Sequence, residues 1–351
     1  MTRRRWRVMK WRGSVAGCYG ESWFKGEDLM RAVLFLLLFG CQMTTGAQAQ
    51  DYPVRPLRLI APSTAGGGGT DLYARLLGKK LTEAWGQQVI IDNRPGAGMA
   101  LGAAVVAKAV PDGYTLLMGH PNSLTVGPAL RAGGSYDPLQ DFAPVTLLMK
   151  APSMISVHPG TGITSLQELI AAARKRPGDM TYGTSGSGSV GNMIGELLSQ
   201  RAAIKLVQVP YKGASPALLD LAAGRLVFVS SSLVSQIAFV RDGRIRAIAT
   251  TGANRTRLTP NVPTVIEAGV PAFDVTAWHG VLAPAKTPPE IITKLNREIV
   301  RILALPDVQE TLLVEGGEIT PTTPQAFAAL LRTELQLWTK VVKQAGIALE
   351  P

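Results

Sequence analysis

Short apolar segments alternate with amphipathic segments along most of the chain after residue 55. The first pair is a largely apolar stretch at 57–61 and a segment at 70–85 in which Leu72, Leu76, Leu77, Leu81 and Trp85 fall on one helical face. A short apolar run predicts a buried strand, whereas the second spacing predicts a helix with one buried face. The pattern therefore predicts an α/β protein with helices on both faces of a parallel or mixed sheet.

The same alternation predicts the elements that follow. Further strands are predicted at 89–92, 114–118, 154–157, 180–183, 207–209, 226–229 and 245–249. Further helices are predicted at 96–109, 165–174, 190–201, 214–222, 233–240, 263–268, 289–304, 306–315 and 323–345. Ser165 is the expected N-cap of its helix, because a serine hydroxyl accepts a hydrogen bond from a free N–H of the first turn.

The length of the chain favours two lobes, since 351 residues are too many for one compact core. We expect a first lobe at 50–150 that is completed by 276–351, and a second lobe at 151–275. Residues 1–49 are expected to be an N-terminal extension with a signal peptide.

A run of four glycines, Gly66 to Gly69, lies between the first predicted strand and the first predicted helix. Glycine allows sharp turns and close approach of a ligand, because it has no Cβ. Thr70 and Asp71 are both candidates for the N-cap of the helix. Free N–H groups and the positive end of the helix dipole then converge on one point, which favours a carboxylate or a phosphate.

A second loop of small residues, Thr184 to Ser189, precedes the helix predicted at 190–201. Ligands of open α/β sheets bind beyond the carboxyl ends of the strands. Because each loop belongs to its own predicted lobe, we expect the two loops to face each other across a cleft.

Several side chains have both a functional and a structural interpretation. His120 directly follows a predicted strand and is a candidate for the cleft, or is a loop histidine. Lys212 is either a cationic ligand contact or a solvated lysine, and Tyr211 either lines the cleft or packs. Trp278 and His279 are hinge or cleft residues, or Trp278 is a buried aromatic. Asp71 meets a ligand ammonium or hydroxyl, or stabilises its helix N-terminus.

Sequence patterns of common catalytic, metal and nucleotide sites are absent. The chain has no Gly-x-Ser-x-Gly nucleophile elbow and no Gly-Lys-Ser/Thr P-loop. Its three histidines lie far apart, without the spacing of metal ligands. We therefore expect no metal and no cofactor. The net charge of +11 suits an anionic ligand, but the charges are scattered and do not indicate nucleic-acid binding.

The N-terminal region has the pattern of a secretory signal peptide. Arg31 precedes an apolar run at 32–40, and an Ala-x-Ala end predicts cleavage after Ala49. The run is too short to span a bilayer. This pattern predicts secretion to the periplasm.

Two alternatives concern the same region. The true start codon is predicted to be Met30, with residues 1–29 as an upstream artefact; the alternative is a long basic n-region. Cys41 could instead accept a lipid at a lipoprotein cleavage site. Both cysteines of the chain precede residue 50, so the cleaved protein is expected to have no disulfide.

Short motifs follow one another in a fixed order along essentially all of the chain after residue 50. They are Tyr52-Pro53-x-Arg55-Pro56, Pro62-x-x-Ala65-Gly66-Gly67, Thr70-Asp71, Asn93-Arg94-Pro95-Gly96-Ala97-Gly98, Pro111-Asp112-Gly113-Tyr114-Thr115-Leu116, Tyr136-Asp137-Pro138, Asp141-Phe142-Ala143-Pro144-Val145, Pro177-Gly178, Val209-Pro210-Tyr211-Lys212-Gly213, Pro263-Thr264-Val265-x-Glu267-Ala268-Gly269 and Trp278-x-Gly280. This set resembles the periplasmic substrate-binding proteins of tripartite tricarboxylate transporters, also called the Bug family.

The resemblance implies a two-lobed Venus-flytrap fold, each lobe a mixed sheet flanked by helices. Such proteins capture a small carboxylate and deliver it to two membrane subunits. The family's carboxylate-binding loop corresponds to Ala65, Gly66, Gly67, Thr70 and Asp71, and its opposing loop to Thr184, Ser185, Gly186 and Ser187. These are the two helix-opening loops that the residues themselves indicate.

The chain departs from the family pattern at three places. Gly127 stands where the family usually has Asn before proline, and Asn192 stands where it usually has His. Acidic and aromatic residues are common where Val227 to Ser231 stand. A cleft aspartate there often meets a ligand amine or hydroxyl, so its loss favours a plain organic acid over an amino acid.

Three functions stay open at this level. The first is a monomeric binding protein for a small carboxylate, without catalysis and without a cofactor. The second is a sensory role in which the closed form docks on a membrane receptor. The third is a secreted enzyme, for which His120, Asp71 and Lys212 are the candidate general bases; none has a paired partner in the sequence. Citrate, malate, an aromatic acid and an amide all remain possible ligands.

Overall fold

The computed structural model describes residues 52–66, 69–131, 134–314 and 316–347. The predicted signal peptide, Met30, Cys41 and Gly67 lie outside these residues. No helix within the described ranges is both long and apolar enough to cross a bilayer.

The strands and helices alternate as the sequence pattern predicts. The strands are β1 (Leu57–Ala61), β2 (Val89–Asn93), β3 (Thr115–Gly119), β4 (Phe142–Val157), β5 (Met180–Thr184), β6 (Leu206–Pro210), β7 (Phe228–Ser232), β8 (Arg246–Thr250), β9 (Thr276–Pro284) and β10 (Glu318–Ile319). The helices are α1 (Gly69–Trp85), α2 (Ala100–Ala107), α3 (Pro121–Leu124), α4 (Val126–Leu130), α5 (Leu166–Lys175), α6 (Val190–Ala202), α7 (Ala214–Ala222), α8 (Leu233–Arg241), α9 (Pro289–Leu303), α10 (Pro306–Val314) and α11 (Pro324–Ala345). The predicted α/β class is confirmed.

All ten of these strands belong to one mixed sheet with the order β2-β1-β3-β9-β4-β7-β5-β6, and β8 and β10 also pair with β4. β1 runs parallel to β2 and β3, and β5 runs parallel to β6 and β7. β9 runs antiparallel to both β3 and β4. The carboxyl ends of β1 and β3 therefore lie at one edge, as do those of β5 and β7.

β4 joins two parts of this sheet because it changes partners along its length. Phe142 to Pro152 pair with β9, whereas Ser153 to Val157 pair with β7. We call the part built from β2, β1, β3, β9, β10 and the first portion of β4 the first section. The part built from β5, β6, β7, β8 and the end of β4 is the second section. The predicted lobe boundaries near 150 and 275 stay a prediction, and they fall where the chain crosses between the sections.

α11 packs against the hydrophobic cores of both sections. Phe327 and Leu331, in its first half, pack with core residues of β1, β3 and β9. Trp338 and Val342, in its second half, pack with core residues of β5, β7 and α6. The helix α4 adds Val126 to the same second-section core.

One prediction of secondary structure is wrong, and another is correct but covers only part of its strand. The strand predicted at 154–157 is the end of the sixteen-residue β4. No helix forms at 263–268; Thr264 instead bridges to Thr250, and a turn follows. Thr264 and Glu267 do make the reciprocal hydrogen bonds of a helix start, at 2.8 and 3.1 Å. Gly269, with φ 88°, ends the turn before a helix can continue.

Candidate functional site

A cavity of about 250 Å³ lies between the first and second sections. Its lining residues are Gly98, Asn122, Gly127, Leu130, Arg131, Ser185, Gly186, Ser187, Gly188, Ser189 and Ile347. Three of the predicted site residues, Ser185, Gly186 and Ser187, therefore line one cavity. The volume suits a small metabolite, since sites for drug-sized ligands start at about 300 Å³.

A larger cavity of about 670 Å³ lies elsewhere, where the crossings between the sections meet α10 and β10. Lys150, Arg255, Asp274 and Glu318 contribute charges of both signs to its wall. None of the predicted site residues lines it. The smaller cavity is therefore the candidate site, because predicted site residues line it and not the larger cavity.

The loop between β5 and α6, which we call the serine loop (Ser185 to Ser189), is held by side chains of the second section. The Thr184 hydroxyl accepts from Gln208 Nε2 at 2.8 Å, and the Asn192 Oδ1 atom accepts from the Gly188 N–H at 3.0 Å. Ser189 is the N-cap of α6 and accepts from the Asn192 N–H. Gly186 adopts φ 136°, which favours glycine. The loop is thus fixed without using its exposed hydroxyls.

The serine loop presents hydrogen-bond donors to the cavity. Ser185 and Ser187 are exposed, and their hydroxyls make no hydrogen bond to any described residue. The loop directly precedes the N-terminus of the thirteen-residue helix α6. Such a terminus has free N–H groups and the positive end of a dipole. Chemically, this arrangement can bind a carboxylate.

The opposite wall of the cavity comes from α3 and α4 of the first section. Gly127 is required for this backbone, since a Cβ there would overlap the Asn122 carbonyl oxygen. The glycine that replaces the usual family asparagine at position 127 therefore allows the close contact between α3 and α4. The Asn122 side-chain oxygen is buried and has no donor among the described residues.

His120 is the N-cap of α3 and adjoins this wall. Its Nδ1 accepts from the Asn122 N–H at 3.1 Å, so the neutral ring carries its proton on Nε2. Burial lowers the pKa of His120 from 6.5 to about 4, which keeps the ring neutral near pH 7.

A second histidine links His120 to the start of α1. The rings of His120 and His279 lie 5.1 Å apart, and Thr70 Oγ1 is 2.9 Å from His279 Nε2. Burial, with His120 as a smaller cause, places the pKa of His279 well below its usual value. Two neutral imidazoles therefore connect the helix start after the glycine loop with the wall of the cavity. The sequence indicated His279 only as a neighbour of Trp278 at the expected crossover between the lobes, and its pairing with His120 was not predicted.

Asp71 organises the glycine loop from within α1. Its carboxylate accepts from the Gly66 N–H, from Arg75 Nε and from Asn93 Nδ2, each at 2.8 Å. The Arg75 hydrogen bond is the largest cause that lowers the pKa of Asp71 to about 2. α1 begins at Gly69, so the prediction that Thr70 or Asp71 is the N-cap is wrong. Both residues lie in the first turn instead.

Replacing Asp71 by asparagine is expected to reduce the free energy of unfolding at pH 7 by about 1.5 kcal/mol, because the amide has one acceptor oxygen for three donors and loses the charge-assisted bond to Arg75. The folded-state pKa is depressed, so the stabilisation is present above pH 3.8 and is lost as pH falls toward 2. Urea unfolding of wild type and D71N at several pH values measures the difference between their free energies of unfolding. The difference should narrow below pH 3.8, and D179N, a change at an exposed aspartate, should have little effect at any pH.

The remaining predicted site residues are not brought to the cavity. Ala65 and Gly66 are exposed and line neither cavity. Tyr211 donates to Asp220 at 2.8 Å and packs in the second section, and Lys212 is exposed. Trp278 is fully buried, donates to Glu334 at 2.9 Å and packs on Phe327. Those locations correspond to the structural interpretations of these three side chains.

Arg131 is a cavity residue that sequence reasoning missed. It follows α4, and no motif or helical spacing in the sequence distinguishes it from other arginines. Its position becomes apparent when α3, α4 and the serine loop are brought together. Within the described ranges, no cluster of three or more His, Cys, Asp or Glu side chains could hold a metal ion.

Comparison with protein families gives a match over most of the described chain. Residues 73–347 match the family described as "Tripartite tricarboxylate transporter family receptor". The protein BugT of Bordetella pertussis is 33% identical over 320 residues, which cover 91% of this chain and 98% of BugT.

Solved structures give the same result. The R. palustris protein Rpa4515, solved with adipate, is 37% identical with a TM-score of 0.72, covering 84% of this chain and 99% of that protein. MatC from Rhodopseudomonas palustris, solved with bound malate, is 33% identical with a TM-score of 0.69, covering 83% of this chain and all (100%) of MatC. The fold is that of the periplasmic binding proteins of this type.

Proposed function

Since this chain belongs to the tripartite tricarboxylate transporter receptor family, we propose that it captures a small organic carboxylate between its two sections and delivers it to the membrane subunits of a transporter. The family consists of periplasmic solute-binding receptors, not of enzymes. The observation that carries the proposal is the serine loop, which offers unbonded donors at a helix N-terminus to a cavity of metabolite size.

The relatives support a carboxylate as the ligand class. One was solved with adipate and another with malate, both small dicarboxylates. In this chain, the carboxylate would accept hydrogen bonds from Ser185, Ser187 and the start of α6. A ligand that touches both sections favours the closed arrangement over the open one.

The glycine loop remains part of the proposal, as a further source of donors for the carboxylate that the serine loop binds. The Asp71 carboxylate accepts a hydrogen bond from the Gly66 N–H, and Ala65 and Gly66 are exposed. Thr70 and the two neutral histidines would act as a rigid, uncharged support, with His120 nearest to the ligand. Tyr211 and Lys212 would approach only if the second section moves on closure.

Secretion and delivery complete the proposed role. The signal peptide ending at Ala49 would direct a monomeric protein to the periplasm, where the liganded form docks on two membrane subunits. Lipid attachment at Cys41 is the alternative route to the same compartment.

The proposal is tested by isothermal titration calorimetry, which measures ligand affinity, on protein purified from the periplasm of an expression host. At least one carboxylate from a panel of aliphatic di- and tricarboxylates and aromatic acids should bind, and its neutral amide should not. The S185A/S187A double variant should then bind that carboxylate at least about tenfold more weakly, because hydrogen bonds to charged groups contribute about 1.5–3 kcal/mol each.

Ser199→Ala is the matched control, since its hydroxyl bonds to Gly195 within the same helix and away from the serine loop. Absence of binding across the panel by a folded protein would contradict the proposed ligand class. Equal affinity of wild type and S185A/S187A would contradict the assigned loop.

A further inference from the structure

Arg131 is a cation at the cavity, and it has no partner of opposite charge among the residues that the structure describes. It directly follows α4 and lines the cavity. Within the described ranges its guanidinium forms no ion pair and no hydrogen bond. Some other described arginines do form ion pairs, for example Arg75 with Asp71 and Arg255 with Glu267. Arg131 therefore keeps its hydrogen-bonding capacity available to a ligand.

Two glycines make room for this guanidinium. A Cβ on Gly98 would lie 2.8 Å from Arg131 Nη2, and a Cβ on Gly127 would lie 3.1 Å from Nη1. Gly98 also has φ 58°, a conformation that larger residues rarely adopt. The Arg131 side chain thus packs between the backbone at Gly98 and the backbone at Gly127, which restricts its conformations.

The charge of the cavity wall is positive. Among the described residues, its lining contains Arg131 and no aspartate or glutamate. The serine loop adds the positive end of the α6 dipole and two hydroxyl donors. In a cleft with walls of low dielectric, such a field attracts anions more strongly than the same charges would on an open surface.

Arg131 and the serine loop are neighbours across the cavity. A Cβ on Gly188 would lie 2.6 Å from Leu130 Cδ1, so the loop touches the residue directly before Arg131. A ligand in a space of about 250 Å³ would therefore meet the serine loop and the guanidinium at the same time.

We propose that Arg131 is the residue that binds the second anionic group of a dicarboxylate ligand, whose first carboxylate lies on the serine loop. This inference rests on the proposed function, because it assumes that the cavity is the carboxylate site. A planar guanidinium suits the role, since it donates two parallel hydrogen bonds to one carboxylate.

The test uses pairs of probes that differ in one charge: succinate with succinamate, glutarate with glutaramate, and adipate with adipamate. Calorimetric titration of the periplasmic protein should show that the best diacid binds about tenfold to a hundredfold more tightly than its monoamide. In R131Q the diacid should lose this advantage, whereas affinity for the monoamide should change less than about threefold. R131K should retain part of the preference, because it keeps the charge and loses the paired geometry.

R176Q is the matched control for net charge. Arg176 is exposed at the end of α5, before β5, and therefore lies at the opposite end of that strand from the serine loop. Thermal unfolding of each variant verifies that it is folded. If wild type and R131Q discriminate diacid from monoamide equally, the inference is wrong while the proposed function stands. If wild type binds none of the six probes, the inference fails together with the assigned ligand class.

Discussion

Glu334→Gln is expected to raise the free energy of unfolding at pH 8 by about 2 kcal/mol and to leave it nearly unchanged at pH 4.5. Glu334 Oε2 accepts from Trp278 Nε1 at 2.9 Å and from Thr125 Oγ1 at 3.0 Å. Burial raises the pKa of Glu334 from 4.5 to about 7. The glutamine amide oxygen can accept the same two bonds and carries no charge.

The sign of this effect follows from proton binding. Between pH 4.5 and 7 the folded protein holds a proton on Glu334 that the unfolded chain has released, so stability falls as pH rises through this interval. One pKa unit corresponds to about 1.4 kcal/mol, and we expect somewhat less than the full shift because the residue is partly exposed. Because glutamine does not titrate, the stability of E334Q does not fall in this interval through residue 334.

Urea unfolding of wild type and E334Q from pH 4.5 to 8 measures the prediction. The two stability curves should separate progressively with rising pH. Glu310→Gln, at an exposed position of α10, removes the same charge and should leave the curve unaltered. Parallel curves for wild type and E334Q would show that the folded protein does not stabilise the protonated acid.

Gly191→Ala is expected to destabilise the protein by about 3 kcal/mol and to weaken ligand binding. Gly191 lies in the first turn of α6, and a Cβ there would overlap the backbone carbonyl oxygen of Ser230 in β7. Backbone on both sides leaves no flexible side chain to move aside, and such overpacking costs about 1–3 kcal/mol or more. The start of α6 would have to shift away from β7, and the serine loop would move with it.

The direction of the change is informative, because alanine in place of a helical glycine ordinarily stabilises by about 1 kcal/mol. Chemical unfolding gives the stability, and titration with the best carboxylate gives the affinity. Gly134→Ala is the control, since its Cβ would meet nothing closer than the Tyr136 carbonyl oxygen at 3.7 Å. A stabilised G191A would mean that α6 and β7 are less tightly packed than described.

Regular elements were predictable because their apolar spacing is local. β1 was predicted to the residue, and Ser165 caps α5 as expected, accepting from the Glu168 N–H at 3.2 Å. β4 was mostly missed, because its first portion contains Pro144 and Pro152, and its register shifts twice against β9. Pairing with a distant strand compensates for these breaks, and a window of sequence does not contain that information.

The site was predictable to the extent that it is made of loops that open helices. The serine loop was found from its small residues alone, and it lines the cavity. Arg131 and Asn122 could not be found in this way, because they acquire their surroundings from residues far away in the sequence. Conversely, Trp278 belongs to the family motif Trp278-x-Gly280 and was a candidate site residue, yet it lies in the core.

The helix α11 has a consequence for exchanging ligand specificity between relatives. A chimera that replaces only the second section would leave the second half of α11, with Trp338 and Val342, facing a foreign core. The same holds for Val126 of α4, which reaches that core from the first section. A graft that functions must therefore carry α4 and the end of α11 along with the donor's second section, so the interchangeable module is discontinuous in sequence.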